Sequence, residues 1–123
     1  MENSAQSLSE KECVPCKSGG SPLPDSSIKE LLCRLNNGWA VENGRLHKTY
    51  RFKNFAQALA FTNKVGALAE QQQHHPDIFL SWGKVIIELY THKIQGLHEN
   101  DFILAAKLDT IDISNSNPAQ EPV

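Results

Sequence analysis

The chain has 123 residues, of which 40% are hydrophobic and 21% are charged, and its formal net charge is −2. This length suits one domain with its own hydrophobic core, and the composition is that of an ordinary soluble globular protein. A nucleic-acid binder would need an excess of Lys and Arg to contact phosphates, so we expect no direct nucleic-acid partner. The sequence contains no apolar run of about 18 residues and begins without the pattern of a secretory signal, which predicts a cytoplasmic protein without a membrane span.

The three cysteines are an odd number and a poor disulfide framework, which favours a reducing compartment. Cys13 and Cys16 have the CxxC spacing of a zinc knuckle or a redox pair. A structural zinc needs four ligands, however, and Cys33 stands alone. We therefore expect an exposed thiol pair and no metal site.

Both ends of the chain have compositions typical of unfolded segments. Residues 1–24 are rich in Ser, Gly, Pro, Glu and Lys without an apolar period, and residues 114–123 contain two prolines and no core-forming pattern. These features predict a flexible leader over residues 1–24, a folded domain over residues 25–113 and a flexible tail over residues 114–123.

The first half of the domain predicts a helix followed by a β-hairpin. The helix begins after Pro24, with Ser27 and Glu30 at capping-box spacing, and reaches residue 35. Strands over residues 39–42 and 45–52 flank Asn43-Gly44, a strong two-residue turn motif. In the second strand, alternation places three apolar side chains on one face: Leu46, Tyr50 and Phe52.

The second half repeats this order. A helix over residues 54–72 has a predicted apolar face made of Phe55, Ala58, Leu59, Thr62, Val65 and Ala69. Pro76 disfavours helix at the residue before it, so the chain must leave the helix at residues 73–76. A hairpin follows, with strands over residues 78–82 and 85–91 and a turn at Gly83-Lys84, and the last helix covers residues 99–112.

This order predicts an α+β protein, an α-β-β-α-β-β-α sandwich in which a four-stranded antiparallel sheet carries three helices on one face. A sheet this small leaves unpaired edge strands. Pairing of one edge across a two-fold axis would cover it, so we expect a homodimer, and a tetramer remains open.

The residues that carry chemistry concentrate between Glu70 and Asp101. His74 and His75 precede Pro76, and His92 follows the predicted second hairpin. Histidine is the side chain best suited to proton transfer near neutral pH, and Asp101 could fix the tautomer of one ring by a hydrogen bond. The histidine pair could instead be a polar end of the helix without a catalytic role. The absence of an HxH or HxxxH pair argues against a metal site.

The spaced motif resembles that of the pterin-4a-carbinolamine dehydratases, which in animals are also known as the dimerisation cofactor of a homeodomain transcription factor. The resemblance covers about residues 27–109 and includes Gly38-Trp39, Trp82 and Gly96-Leu97. Its main elements are Glu70 followed by His74-His75-Pro76, then Thr91-His92, then the segment Asp101-Phe102-Ile103-Leu104-Ala105.

The resemblance implies a hydro-lyase. Such enzymes convert 4a-hydroxytetrahydropterin to quinonoid dihydropterin and water, without a metal or organic cofactor, in the recycling of tetrahydrobiopterin for aromatic amino acid hydroxylases. By resemblance, His74 and His92 are the acid/base pair, His75 binds the pterin, and Asp101 supports the histidines. Gln73, Tyr90, Thr91 and Lys93 would line the pterin ring, with Glu70 and Pro76 in supporting positions.

One position departs from the family pattern. His98 stands where the family usually has Ser or Thr to cap the last helix, so we expect a cap weaker by about 1 kcal/mol. The alternative function is a non-enzymatic dimerisation or coactivator module that binds a protein partner through the second helix. A pure binding module would have no need of three histidines and an acid at these spacings, which favours the enzyme.

Overall fold

The computed structural model describes residues 8–13, 21–35 and 38–111. Its helices are α1 (Asp25–Cys33), α2 (Phe55–Gln72) and α3 (Glu99–Leu108), and its strands are β1 (Ala40–Glu42), β2 (Arg45–Arg51), β3 (Asp77–Ser81) and β4 (Lys84–Leu89). Two short 3-10 turns cover Leu8–Glu10 and His92–Ile94. The predicted α+β class and the predicted order of helices and strands are confirmed.

The four strands form one antiparallel sheet in the order β1-β2-β4-β3, so β1 and β3 are the edges. Asn43 (φ 53°) and Gly44 (φ 75°) make the left-handed turn that the first hairpin requires. In the second hairpin Ser81 pairs with Lys84, which places the two-residue turn at Trp82-Gly83, one residue earlier than predicted.

The core lies between the sheet and the helices. Its sheet side follows the predicted alternation, since Leu46, Val85, Ile87 and Leu89 are fully buried. The predicted apolar face of α2 is wrong in part, because Phe55 and Leu59 are exposed, whereas Phe61 is buried. The ring of Phe61 packs against two rings from the sheet side, those of Tyr50 at 4.6 Å and Phe52 at 5.2 Å between centroids.

The beginnings of α1 and α2 differ in how they are capped. Asn54 Oδ1 accepts a hydrogen bond from Gln57 N at 2.9 Å and so caps α2, as its position predicts. The predicted capping box at Ser27 is wrong, because α1 begins at Asp25, after Pro24, without a hydrogen bond from a capping side chain in the described part of the chain. The last helix ends at Leu108, four residues before the predicted end.

A segment of the predicted leader packs on the domain. We call residues 8–13 the strap. Its Leu8 is 2% exposed and belongs to the same core cluster as Phe102 and Ile103 of α3. The strap explains why four consecutive residues of α3, Phe102-Ile103-Leu104-Ala105, are all buried, since a helix that is apolar on most sides must be covered on most sides.

The strap also corrects the expectation for Cys13, which is half-buried rather than exposed. Cys16 and the predicted tail lie outside the described residues, and the domain boundary at residue 25 stays a prediction. Within the described ranges, no helix combines the length and the apolar character needed to cross a membrane.

Candidate active site

A cleft of about 610 Å³ opens where the end of α2, the turn after β4, the start of α3 and the strap meet. Seven of the predicted site residues line it: Gln73, His74, His75, Tyr90, Thr91, His92 and Lys93. Asp101 is fully buried and contacts His74 and Thr91, which both line the cleft. The structure therefore brings together residues from four separate segments of the chain.

The end of α2 determines how the adjacent histidines are presented. Gln73 has a left-handed backbone (φ 56°), His74 N donates to Ala69 O at 3.2 Å, and Gln73 N donates to Glu70 O at 3.3 Å. These two bonds form the Schellman motif that ends many helices. The chain therefore turns away from α2 directly before His74, and the two histidine rings contact different partners.

His74 is joined to Asp101, with 2.6 Å between Nε2 and Oδ1. The other oxygen, Oδ2, accepts from Thr91 Oγ1 at 2.8 Å and from the backbone N–H of His98 at 3.0 Å. A carboxylate surrounded by donors serves as an acceptor, so His74 Nε2 carries the hydrogen of this bond. The neutral His74 ring then has its free lone pair on Nδ1, which is the tautomer suited to accept a proton there.

His75 forms a second histidine–carboxylate pair, with 2.6 Å between Nε2 and Glu70 Oε2. Both side chains are exposed, at 57% for His75 and 74% for Glu70, in contrast to the buried pair of His74 and Asp101. Water screens an exposed pair, so this contact orients the His75 ring weakly.

His92 begins the 3-10 turn after β4, and its ring stands edge-on to Tyr90 with 5.0 Å between centroids. The guanidinium of Arg45 lies 4.4 Å from the centre of the Tyr90 ring, a cation–π distance. An antiparallel bridge between Thr91 and Gly96 closes the loop, with Thr91 N to Gly96 O at 2.9 Å. These contacts hold His92 at the cleft.

His98 caps α3 through its ring, and the predicted weakening of the cap by a histidine stays a prediction. Its ring Nδ1 accepts a hydrogen bond from Asn100 N at 2.9 Å, and its backbone N–H donates to Asp101 Oδ2. The imidazole nitrogen thus takes the place of a Ser or Thr oxygen. The His98 ring does not compete with His74 for Asp101, because the contact between His98 and Asp101 is made by the backbone.

The sequence prediction missed five residues that line the cleft: Glu12, Cys13, Gln71, Gln72 and Asn100. Two of them, Glu12 and Cys13, belong to the strap. The composition of residues 1–24 did not indicate that this segment reaches the cleft. Desolvation raises the pKa of the Cys13 thiol from 9.0 to about 11, although the charge of Lys107 lowers it. Within the described ranges, no cluster of three His, Cys, Asp or Glu side chains is arranged to hold a metal ion.

Comparison with known proteins finds matches to one family over most of the chain. The family model of the pterin 4 alpha carbinolamine dehydratases matches residues 21–111. A Rickettsia bellii relative that bears the name pterin-4-alpha-carbinolamine dehydratase is 54% identical over 85% of this chain and 94% of its own. A relative of the same name from Alkaliphilus metalliredigens is 52% identical over 83% of this chain and 93% of its own.

A solved structure supports the same relationship. The crystal structure of a transcriptional coactivator/pterin dehydratase from Brucella melitensis is 30% identical, with a TM-score of 0.69 over 74% of this chain and 98% of its own. The matched family region contains all three cleft histidines and Asp101, and it excludes the strap. The chain therefore belongs to the pterin 4 alpha carbinolamine dehydratase family.

Proposed function

We propose that this protein removes water from 4a-hydroxytetrahydropterin to give quinonoid dihydropterin. The observation that carries the proposal is the contact between His74 and buried Asp101 at a cleft that His92 also lines. The names of the family and of the curated relatives support the same activity.

The reaction requires two proton transfers. The bond between C4a and the hydroxyl oxygen breaks while that oxygen gains a proton, and N5 loses its proton as the double bond between C4a and N5 forms. No oxidation state changes overall, so general acid–base catalysis by positioned side chains is sufficient and a cofactor is not required. In our proposal, protonated His92 donates to the hydroxyl and neutral His74 takes the N5 proton on Nδ1.

The remaining cleft residues bind the pterin. His75 supplies a ring at the cleft, which Glu70 orients only weakly, while Gln73, Tyr90, Thr91 and Lys93 border the substrate. Thr91 has a second role, since its hydroxyl donates to Asp101. Pro76 supports the site by preventing α2 from continuing through the histidine pair.

The product is the form that a reductase would return to tetrahydropterin, so we place the enzyme in pterin recycling for aromatic amino acid hydroxylation, in the cytoplasm. We also propose that the protein is a homodimer paired through the edge strand β3. Phe79 of β3 and Trp82 of the adjoining turn are exposed by 52% and 67%, and large apolar side chains at a sheet edge favour association.

The test is the rate at which freshly generated 4a-hydroxytetrahydropterin decays, followed by absorbance at neutral pH. We expect the protein to accelerate the decay, and His74→Ala and His92→Ala each to lose most of the acceleration. His47→Ala is the matched control, because His47 lies on β2 and does not line the cleft. Full activity in the double variant of His74 and His92 would disprove the assignment.

One observation favours the alternative, a protein-binding module. Phe55 and Leu59 are exposed and lie four residues apart on α2, the spacing of one helix face. That function leaves the histidine cleft unexplained, so we favour the enzyme. The double variant Phe55→Asp/Leu59→Asp should keep full dehydratase activity, which would separate any binding role of this face from catalysis.

A further inference from the structure

The strap is fixed to α3 by both apolar and polar contacts. Leu8 is buried at one end, and Lys107 Nζ donates to Ser9 O at 3.0 Å. Lys11 Nζ lies 2.7 Å from Glu99 Oε2, a partly exposed pair that adds little free energy by itself. These contacts come from both ends of α3, so the strap follows this helix toward the cleft.

The side-chain amide of Gln72 fixes the other end of the strap. Its Oε1 accepts from Cys13 N and its Nε2 donates to Glu12 Oε1, each at 2.9 Å. Gln72 is 8% exposed and stands two positions before His74, at the last residue of α2. The helix whose end presents His74 and His75 therefore also positions Glu12 and Cys13 in the wall of the same cleft.

We propose that the strap forms part of the pterin-binding wall and that Glu12 is a specificity-determining residue for the pyrimidine edge of the substrate. This inference rests on the proposed function. The strap lies outside the region matched by the family model, and in this inference Glu12 supplements the histidine site as a recognition group.

The chemistry of the substrate favours a carboxylate in the wall of this cleft. In a pterin, C2 lies directly across the pyrimidine ring from C4a, so a substrate with C4a at the histidines directs its 2-amino group away from them. The 2-amino group and N3–H are adjacent donors, and a carboxylate offers two oxygens that accept from such a pair.

Glu12 retains the capacity for these bonds. Its side chain is 75% exposed, and Oε2 forms a long ion pair with Lys107 Nζ at 3.8 Å, which is beyond hydrogen-bond distance. Gln72 occupies one acceptor position on Oε1, and an ionised carboxylate has about four. The contact to Gln72 thus orients the group while leaving acceptor positions open to the cleft.

The test compares two ligands and two variants of the full-length protein. Oxidised pterin carries the 2-amino group, and its analogue lumazine has an oxygen on C2 in its place. We expect the wild type to bind pterin more tightly, and Glu12→Gln to reduce that preference about tenfold, the scale of one hydrogen bond to a charged group. Glu12→Gln keeps an oxygen for Gln72 Nε2, so the strap should remain docked. Glu10→Gln is the control, since Glu10 lies on the strap but does not line the cleft.

A second measurement tests the position of the strap without enzyme activity. In a Cys16→Ser background, pterin should slow alkylation of Cys13, while Cys33, exposed on α1, should react at an unchanged rate. An unchanged pterin-to-lumazine ratio in Glu12→Gln together with no protection of Cys13 would overturn the inference. If the wild type fails to dehydrate the carbinolamine, the proposed function fails instead, so the two failures are distinguishable.

Discussion

His74 Nε2 lies 2.6 Å from Oδ1 of Asp101, and Asp101 is fully buried while His74 faces the cleft. A buried carboxylate that also accepts from Thr91 and His98 holds its position, so it fixes both the direction and the tautomer of the histidine ring. The exposed pair of His75 and Glu70 has the same length and lacks this support. The two pairs therefore allow the effect of a buried histidine–carboxylate contact to be compared with that of a solvent-screened contact in the same protein.

We predict that Asp101→Asn lowers kcat by about 100-fold, because an amide can hold His74 in the wrong tautomer. Glu70→Gln should lower kcat by less than about tenfold, because water already screens that pair. Steady-state dehydration kinetics measure both variants, and circular dichroism checks that Asp101→Asn is folded. Equal losses in the two variants would show that burial of the carboxylate is unimportant for catalysis.

The cap of α3 predicts a second pair of results. His98→Ala should lower the free energy of unfolding by about 1 kcal/mol, because Asn100 N loses its acceptor. His98→Ser should be close to the wild type, since a hydroxyl oxygen can accept the same bond. Urea denaturation measures both differences. A wild-type value for His98→Ala would mean that the imidazole cap contributes nothing to stability.

A buried polar cluster beneath the sheet predicts a larger effect on stability. Asp109 accepts from Tyr50 Oη at 2.6 Å, from Lys48 Nζ at 2.8 Å and from Trp39 Nε1 at 2.8 Å. Tyr50→Phe removes one bond to a charged group and should lower the free energy of unfolding by about 1.5 kcal/mol.

The same cluster has a pH dependence with a definite sign. Burial, together with Asp109, raises the pKa of Tyr50 above its ordinary value. The contribution of the Tyr50 hydroxyl to the stability of the folded state is therefore complete below the pKa of tyrosine in the unfolded chain, about 10. This contribution is lost as the pH rises above that value. Tyr50→Phe should show a smaller alkaline loss of stability than the wild type in thermal unfolding at high pH. An identical alkaline loss in both proteins would assign the effect to other groups.

Cys13 predicts a second effect at alkaline pH. Its pKa is raised from 9.0 to about 11, chiefly by burial, so docking of the strap is favoured below about pH 9 and weakens as the pH rises toward about 11. Because the thiolate is the nucleophile, alkylation of Cys13 in a Cys16→Ser background should accelerate mainly near pH 11. Pulsed alkylation with mass spectrometry measures the profile. A midpoint near pH 9 would show an undocked strap.

The proposed dimer predicts different results at the two sheet edges. Phe79→Lys on β3 should shift the protein toward the monomer, because it places a charge in the proposed interface. Val41→Lys on β1, the opposite edge, should leave the mass unchanged. Light scattering after size-exclusion chromatography measures both variants. Dissociation by Val41→Lys alone would place the interface at β1.

Local sequence by itself determined the order of the elements. Asn43-Gly44 specifies its turn through backbone conformation, and strand alternation specifies the buried positions of β4, because these constraints act between near neighbours. The sequence also singled out His74, His75, His92 and Asp101 as candidate site residues, because the family motif combines residue types at specific spacings.

Only the tertiary structure decided which groups meet. The local sequence pattern does not predict three of these features. They are the contact between His74 and Asp101, the imidazole cap at His98, and the burial of Phe61 in place of Leu59. The strap is the clearest case. Residues 8–13 lack a period of their own, and only the side of α3 that they cover and the amide of Gln72 place them at the cleft. Local composition reports what a segment can form alone, whereas docking depends on a surface that exists only after the rest of the chain has folded.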